Sequence, residues 1–169
     1  ENVGIAYGMG LTAEKVANQW KVSRQAQDAF AVESHQRALA AMKAGLFADE
    51  ITPVEVTERT PDLETGEVSL STRTVSLDEG ARPDTSLEGL ARLKAVFAAR
   101  GSVTAGNSSQ TSDGAGALVL ASEKAIRQFG LTPLARFGSF ASKGVPPHIM
   151  GIGPIDAIPA ALRSPGLNQ

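Results

Sequence analysis

Between Gly101 and Ser122 the sequence reads GSVTAGNSSQTSDGAGALVLAS, and this stretch limits what the chain can fold into more than any other. Small residues and hydroxyls crowd Gly101 to Gly116, and an apolar run without charge, Ala115 to Ala121, follows. The pattern predicts a tight polar loop feeding a buried strand. Glycines at 106, 114 and 116 allow backbone to pass close to a partner, while Ser108, Ser109, Thr111 and Ser112 supply hydrogen-bonding groups. On chemistry alone two readings stand side by side: a ligand-binding edge, or an ordinary loop before a strand.

The remainder of the chain narrows the classes of function. At 169 residues it fills one medium domain or holds pieces of two, and 42% hydrophobic with 20% charged residues supports a sizeable core. A net charge of −2 argues against a broad phosphate-binding face, so no nucleic-acid partner is expected. No apolar run approaches the roughly 18 to 20 residues that span a bilayer, and ENVGIAYGMG lacks the basic and apolar regions of a signal peptide. The expectation is a cytoplasmic protein without a membrane partner. The absence of cysteine removes disulfides, thiolate metal sites and a cysteine nucleophile from this segment. With His35 and His148 as the two histidines, a metal site is poorly supplied and none is expected.

Taken in order, Thr12 is placed to cap a short helix carrying Ala13, Val16, Ala17 and Trp20 on one face. Ser23 reads as the N-cap of a longer helix with Ala29, Val32, Leu39 and Met42 in its stripe and Gly45 as its stop. Arg24, Gln27, Asp28, Glu33, Arg37 and Lys43 read as a solvated face, and His35 as a surface or internally satisfied histidine rather than a catalytic one. From Ile51 the period changes to two. Ile51 to Val56 and Glu67 to Val75 predict an antiparallel pair, with RTPDLETG as the exposed connection. Thr85 stands three residues before Glu88, the spacing of a capping box, and predicts a helix through Leu87, Leu90, Ala91, Lys94 and Phe97 to Gly101. Arg82 precedes a proline that keeps its backbone extended, so it reads either as a phosphate clamp or as a solvated arginine. Ser122 to Gly130 predicts a short capped helix, Ala135 to Lys143 a strand, and Pro154 to Arg163 a last helix. His148, on the intervening GVPPHIMGIGP loop, marks a structural corner or a ligand lip. Charge thins beyond residue 101, which places a domain boundary near Ser109 to Gly114.

Read together, MGLTAEKVANQW, SRQAQDAFAVESHQRA, DEGARPDTSLEGLARLKAVF, GSVTAGNSSQTSDGAGALVLAS and VPPHIMGIGPIDAIPAAL resemble the thiolase family, and most of all the 3-ketoacyl-CoA thiolases. The resemblance implies an α/β thiolase-fold fragment, a central slice of a longer subunit. Residues 1–111 would form most of a lid (loop) domain of helices plus a β-hairpin. Residues 112–132 would be the last strand and helix of the first α/β half, and 133–169 the start of the second. The implied activity is acyl transfer from a 3-ketoacyl-CoA to coenzyme A in fatty-acid degradation (β-oxidation), releasing acetyl-CoA, through a cysteine nucleophile that this segment does not contain. The segment alone is therefore expected to be inactive.

What the resemblance does assign is the coenzyme A side of the pocket. Arg82 takes the place of an arginine at the nucleotide end, and Ser109 of a serine that bonds the pantetheine arm. Ala105 and Gly106 lie beside that arm, Phe97 packs near it, and Met9 and Met150 match methionines lining the acyl pocket. Gly8 and Gly89 stand where the biosynthetic acetyl-CoA acetyltransferases carry a histidine and a serine, which favours the degradative branch. Acyl-CoA and coenzyme A are the expected small-molecule partners, no resident cofactor is expected, and the complete protein is expected to be a homodimer or homotetramer. Two other classes stand beside this reading: a stand-alone acyl-CoA-binding module, and a structural segment for oligomerisation. The fragment reading also predicts that Leu118, Val119 and Leu120 are left uncovered.

Overall fold

The computed structural model describes residues 8–163, so the two ends of the expected segments, 1–7 and 164–169, lie outside the described residues. The chain divides into two compact units. One combines the segment ending at Ser23 with the chain from Ala95 onward; the other is Arg24–Lys94.

In the first unit, α1 (Met9–Gln19) starts directly after extended Gly8 with no side-chain cap. Thr12 is therefore not the cap that the sequence suggests. It lies inside the first turn, buried, and its hydroxyl donates back to the Gly8 carbonyl at 3.4 Å, the local alternative open to a hydroxyl within a helix. Ala17 is buried on this helix, and a 3₁₀ segment, Pro147–Ile152, packs against it and buries Ile149. That segment runs into the last helix of the chain, Gly153–Arg163, within a residue of its expected start. The Ser139 hydroxyl donates to the Ala161 carbonyl near the end of that helix at 2.6 Å, satisfying one of its terminal acceptors. Another short helix, Glu123–Phe129, forms as expected. The Ser122 hydroxyl accepts the Ala125 N–H at 3.2 Å, and Gly130 closes the helix at φ +62°.

Two expected strands do not form. Residues 115–121 and 135–143 have no regular hydrogen-bonded structure, and Leu118, Val119 and Leu120 are 92%, 92% and 88% exposed. A strand is defined by a neighbour that takes up its backbone groups, and among the described residues neither run has one. The apolar run is thus uncovered, which corrects the buried-strand expectation for 115–121.

In the second unit, α2 (Arg24–Lys43) closes as the sequence predicts. Gly45 sits at φ +72°, its N–H bonds to Met42, and the Leu46 N–H reaches back to Ala41 at 3.0 Å. The expected solvated face needs correction at its first turn: Asp28 is 4% exposed, and Arg24 Nε donates to it at 2.8 Å. Arg24 Nη2 also donates to the carbonyls of Leu90 (2.5 Å) and Leu93 (3.0 Å), at and beyond the end of α3 (Leu87–Ala91). α3 is five residues long and does not run on to Gly101, where the sequence predicts its end. Its last carbonyls are taken up by a side chain, and the N–H groups of Arg92 and Leu93 tighten onto Gly89 and Leu90. The cap is Ser86, whose hydroxyl accepts the Gly89 N–H at 3.1 Å, rather than Thr85.

Between these helices, β1 (Val54–Pro61) and β2 (Val68–Val75) pair antiparallel in the register Val54↔Val75 through Pro61↔Val68. The pairing is as expected, but Pro61 ends the strand rather than opening the turn. Nearly every residue on both faces is exposed, so the hairpin rests on its ladder, the Arg73–Glu58 ion pair at 2.5 Å and its turn. At the turn Asp62 Oδ1 accepts the N–H groups of Glu64 (2.8 Å) and Thr65 (3.0 Å), and Gly66 stands at φ +74°. The Thr65 and Glu64 amides hold the Asp62 carboxyl below its ordinary value of 3.8. A folded-state value lower than the unfolded one stabilises the turn above the unfolded value, and the contribution is lost as pH falls through the folded one. The amide resonances of Glu64 and Thr65 are therefore expected to titrate below 3.8, and the step to vanish in Asp62→Ala. A midpoint at or above the ordinary value would contradict this.

Candidate functional site

Six of the seven residues singled out in the sequence, Met9, Phe97, Ala105, Gly106, Ser109 and Met150, fall in the first unit, and Arg82 falls in the second. The first group centres on the turn from Ser102 to Ser109, where two backbone bonds, Val96 N–H to the Val103 carbonyl (3.1 Å) and Asn107 N–H to the Thr104 carbonyl (3.3 Å), are joined by a larger set from side chains. Glu14 on α1 carries the near half: Oε1 accepts the N–H groups of Ser102 and Val103, each at 2.9 Å, and Oε2 accepts the Ser102 N–H at 2.9 Å and its hydroxyl at 3.3 Å. Asn107 carries the far half. Its Oδ1 accepts the Thr104 N–H at 2.7 Å, and its Nδ2 donates to the Ser102 carbonyl at 3.0 Å. The Thr104 hydroxyl accepts the Gly106 N–H at 3.2 Å, and the Ser108 hydroxyl donates to the Thr104 carbonyl at 2.8 Å. Val103 and Thr104 are buried by this arrangement, whereas Ala105, Ser108 and Ser109 remain exposed and Gly106 half-buried. The result is a rigid polar turn that presents small residues and a hydroxyl outward.

Gly101 and Gly10 are glycines for steric reasons. A Cβ on Gly101 would overlap the Glu14 carboxylate, and one on Gly10 would overlap the Phe97 ring. Phe97 therefore lies flush against the first turn of α1, next to the exposed Met9. Met150 is half exposed on the 3₁₀ segment that packs on the same helix. Gly8, by contrast, has open space where a side chain would stand. A cleft of about 750 Å³ runs beside α1, lined by Leu11, Glu14, Lys15, Asn18, Arg100 and Ser102 among others, and none of the seven singled-out residues lines it. Glu14 carries no signal of this role in the sequence, since a glutamate in an amphipathic helix looks like any solvated one. Asn107, inside the AGNSSQ motif, carried the stronger signal: an Asx residue in a glycine-rich turn commonly bonds its own backbone.

In the second unit Arg82 is exposed, and its guanidinium meets Asp84 through Nε (3.3 Å) and Nη2 (3.0 Å). The Asp84 carboxyl is held below its ordinary range, first by this hydrogen bond, then by its own backbone N–H and by the arginine charge. The same pairing raises Arg82 further above an already high value. The Arg82 backbone N–H donates to His35 Nδ1 on α2 at 3.1 Å, which makes His35 a satisfied histidine. His148, in the 3₁₀ segment, is exposed. Among the described residues no group of three or more His, Asp or Glu side chains is placed to hold a metal ion, and no helix is long and apolar enough to cross a membrane.

Residues 2–124 match the family described as "Thiolase, N-terminal domain". The chain is 51% identical over 160 residues to the 3-ketoacyl-CoA thiolase of Bacillus subtilis (strain 168), covering 94% of this chain and 40% of that protein. Among solved structures it is similar to the Bacillus anthracis acetyl-CoA acetyltransferase (TM-score 0.82, 41% identity, 95% of this chain and 38% of that one). It is also similar to human mitochondrial 3-ketoacyl-CoA thiolase in complex with CoA (TM-score 0.80, 43% identity, 95% and 37%). The chain thus spans about 40% of the length of the Bacillus subtilis relative.

Proposed function

Because this chain belongs to the thiolase family, we propose that it supplies the coenzyme A side of a 3-ketoacyl-CoA thiolase, within a subunit whose other segments bring the reacting groups. The braced Ser102–Ser109 turn carries this reading. A pantetheine arm is a narrow chain of amides in an apolar slot, and it needs close backbone approach and a few fixed hydrogen bonds. Ala105 and Gly106 provide the first, and the Ser109 hydroxyl the second, on a turn that Glu14 and Asn107 keep from rearranging. Arg82 offers a charge-assisted contact to a phosphate of the nucleotide end. Phe97 supplies apolar surface beside the pantetheine arm, and Met9 and Met150 polarizable surface for the acyl group.

The reaction is acyl transfer between thiols. A thiolate attacks the ketone carbonyl of the 3-ketoacyl-CoA, the carbon–carbon bond breaks with release of acetyl-CoA, and the enzyme-bound acyl group passes to a second coenzyme A. This chain has no cysteine, so on this reading it binds and orients the carrier and does no covalent chemistry by itself. The degradative direction is supported by Gly8 and Gly89 and by the 51% identity to a Bacillus subtilis protein named 3-ketoacyl-CoA thiolase.

The test is steady-state thiolysis by the complete enzyme with coenzyme A as the varied substrate. Arg82→Ala is expected to raise KM for coenzyme A about tenfold, the loss of one charge-assisted hydrogen bond at an exposed site, with kcat little changed. Ser109→Ala is expected to raise it about threefold to fivefold, as for one neutral hydrogen bond. Unchanged KM in both variants would remove the reading.

A further inference from the structure

The geometry points to His35 as a positioning residue for Arg82: it contributes to the grip on the anionic end of the carrier without touching it. This rests on the reading of Arg82 as a phosphate clamp. Arg82 stands on an exposed corner, where a long side chain on a loose backbone would lose much of its freedom on gripping a ligand. Two hydrogen bonds and a proline within the Arg24–Lys94 unit reduce that loss. The backbone N–H of Arg82 is tied to His35 Nδ1 at 3.1 Å, and its carbonyl accepts the Thr85 N–H at 3.4 Å. Pro83 restricts the residue between them to extended conformations. The guanidinium spends two of its five N–H donors on Asp84 and keeps the rest for an oxyanion.

Of these ties, His35 is the one that comes from outside the corner. It is half-buried on α2, and its bond joins residues 47 apart in sequence. Pro83 and Asp84 shape the corner from within, whereas His35 attaches it to a 20-residue helix. An Nδ1 that accepts must leave the ring proton on Nε2, so the role needs an acceptor at one defined position and not merely a ring.

The measurement is the KM for coenzyme A and the kcat of the complete enzyme in three variants. His35→Leu is expected to raise KM about threefold to tenfold, the worth of one backbone hydrogen bond, with kcat within twofold. His35→Asn, whose Oδ1 stands close to the place of Nδ1, is expected to recover most of the loss. His35→Gln places its polar end near Nε2 instead, and is expected to behave as His35→Leu does, which also serves if the leucine variant does not fold. Arg82→Ala, measured alongside, separates the two levels. If Arg82→Ala raises KM and His35→Leu does not, or if the asparagine and leucine variants are equally impaired, the positioning role is overturned while the clamp stands. If Arg82→Ala leaves KM unchanged, the clamp and the positioning role fall together.

Discussion

Replacing Glu14 with alanine is expected to lower the stability of the protein by about 3 kcal/mol, the scale of leaving two part-buried amides without their charged acceptor. One carboxylate takes the N–H groups of Ser102 and Val103 and the Ser102 hydroxyl. Their contacts with Glu14 are charge-assisted. The variant leaves Val103, which is buried, with a backbone donor that has lost this acceptor. Glu14→Gln is the more informative change. It keeps volume and one acceptor oxygen, but turns an NH₂ group toward donors, and is expected to cost about 2 kcal/mol. Chemical denaturation of the complete protein reads both values, and amide exchange at Ser102 and Val103 should quicken before any global change. A loss under about 0.5 kcal/mol for the alanine variant, the level of an ordinary surface substitution, would show that the turn holds its shape without the brace.

Arg24→Met should have an effect of similar size, about 2–3 kcal/mol, for a different reason. The methionine fills much of the same space, so packing is largely kept. What is lost is the cation facing a carboxylate that is 4% exposed, together with the donor that takes up the carbonyls of Leu90 and Leu93. Removing one member of a buried pair leaves the other desolvated, whereas removing both charges relieves that cost. Arg24→Met with Asp28→Leu should therefore be less damaging than Arg24→Met alone, a coupling that a double-mutant cycle measures. Additive losses in the cycle would mean that the pair acts only through packing.

Much of the secondary structure could be read directly from the chain because its causes are local. Gly45 and Gly130 end their helices at positive φ, where a side chain is strained, and Ser122 caps with its own hydroxyl. The alternation of β1 and β2 and the Asp62-to-Gly66 turn are likewise contained in a short span. Boundaries shifted where two neighbours competed, as Thr85 did with Ser86, because propensity alone does not rank adjacent hydroxyls. The motif segments carried the family, and with it the residues proposed to meet coenzyme A.

The supports of those residues depend on contacts that no local pattern encodes. Glu14 meets the turn from 88 residues away, and Arg24 reaches the end of α3 from 66 away. His35 meets Arg82 across 47. Each looks in the sequence like a solvated polar group on a helix. Only folding brings to each the backbone group it satisfies, since the cost of a buried or unpaired donor arises once water has been excluded. The apolar run at 115–121 makes the same point from the other side. Its composition suits a strand, but a strand exists only where another segment accepts its hydrogen bonds, and that is a property of the assembled chain rather than of the letters.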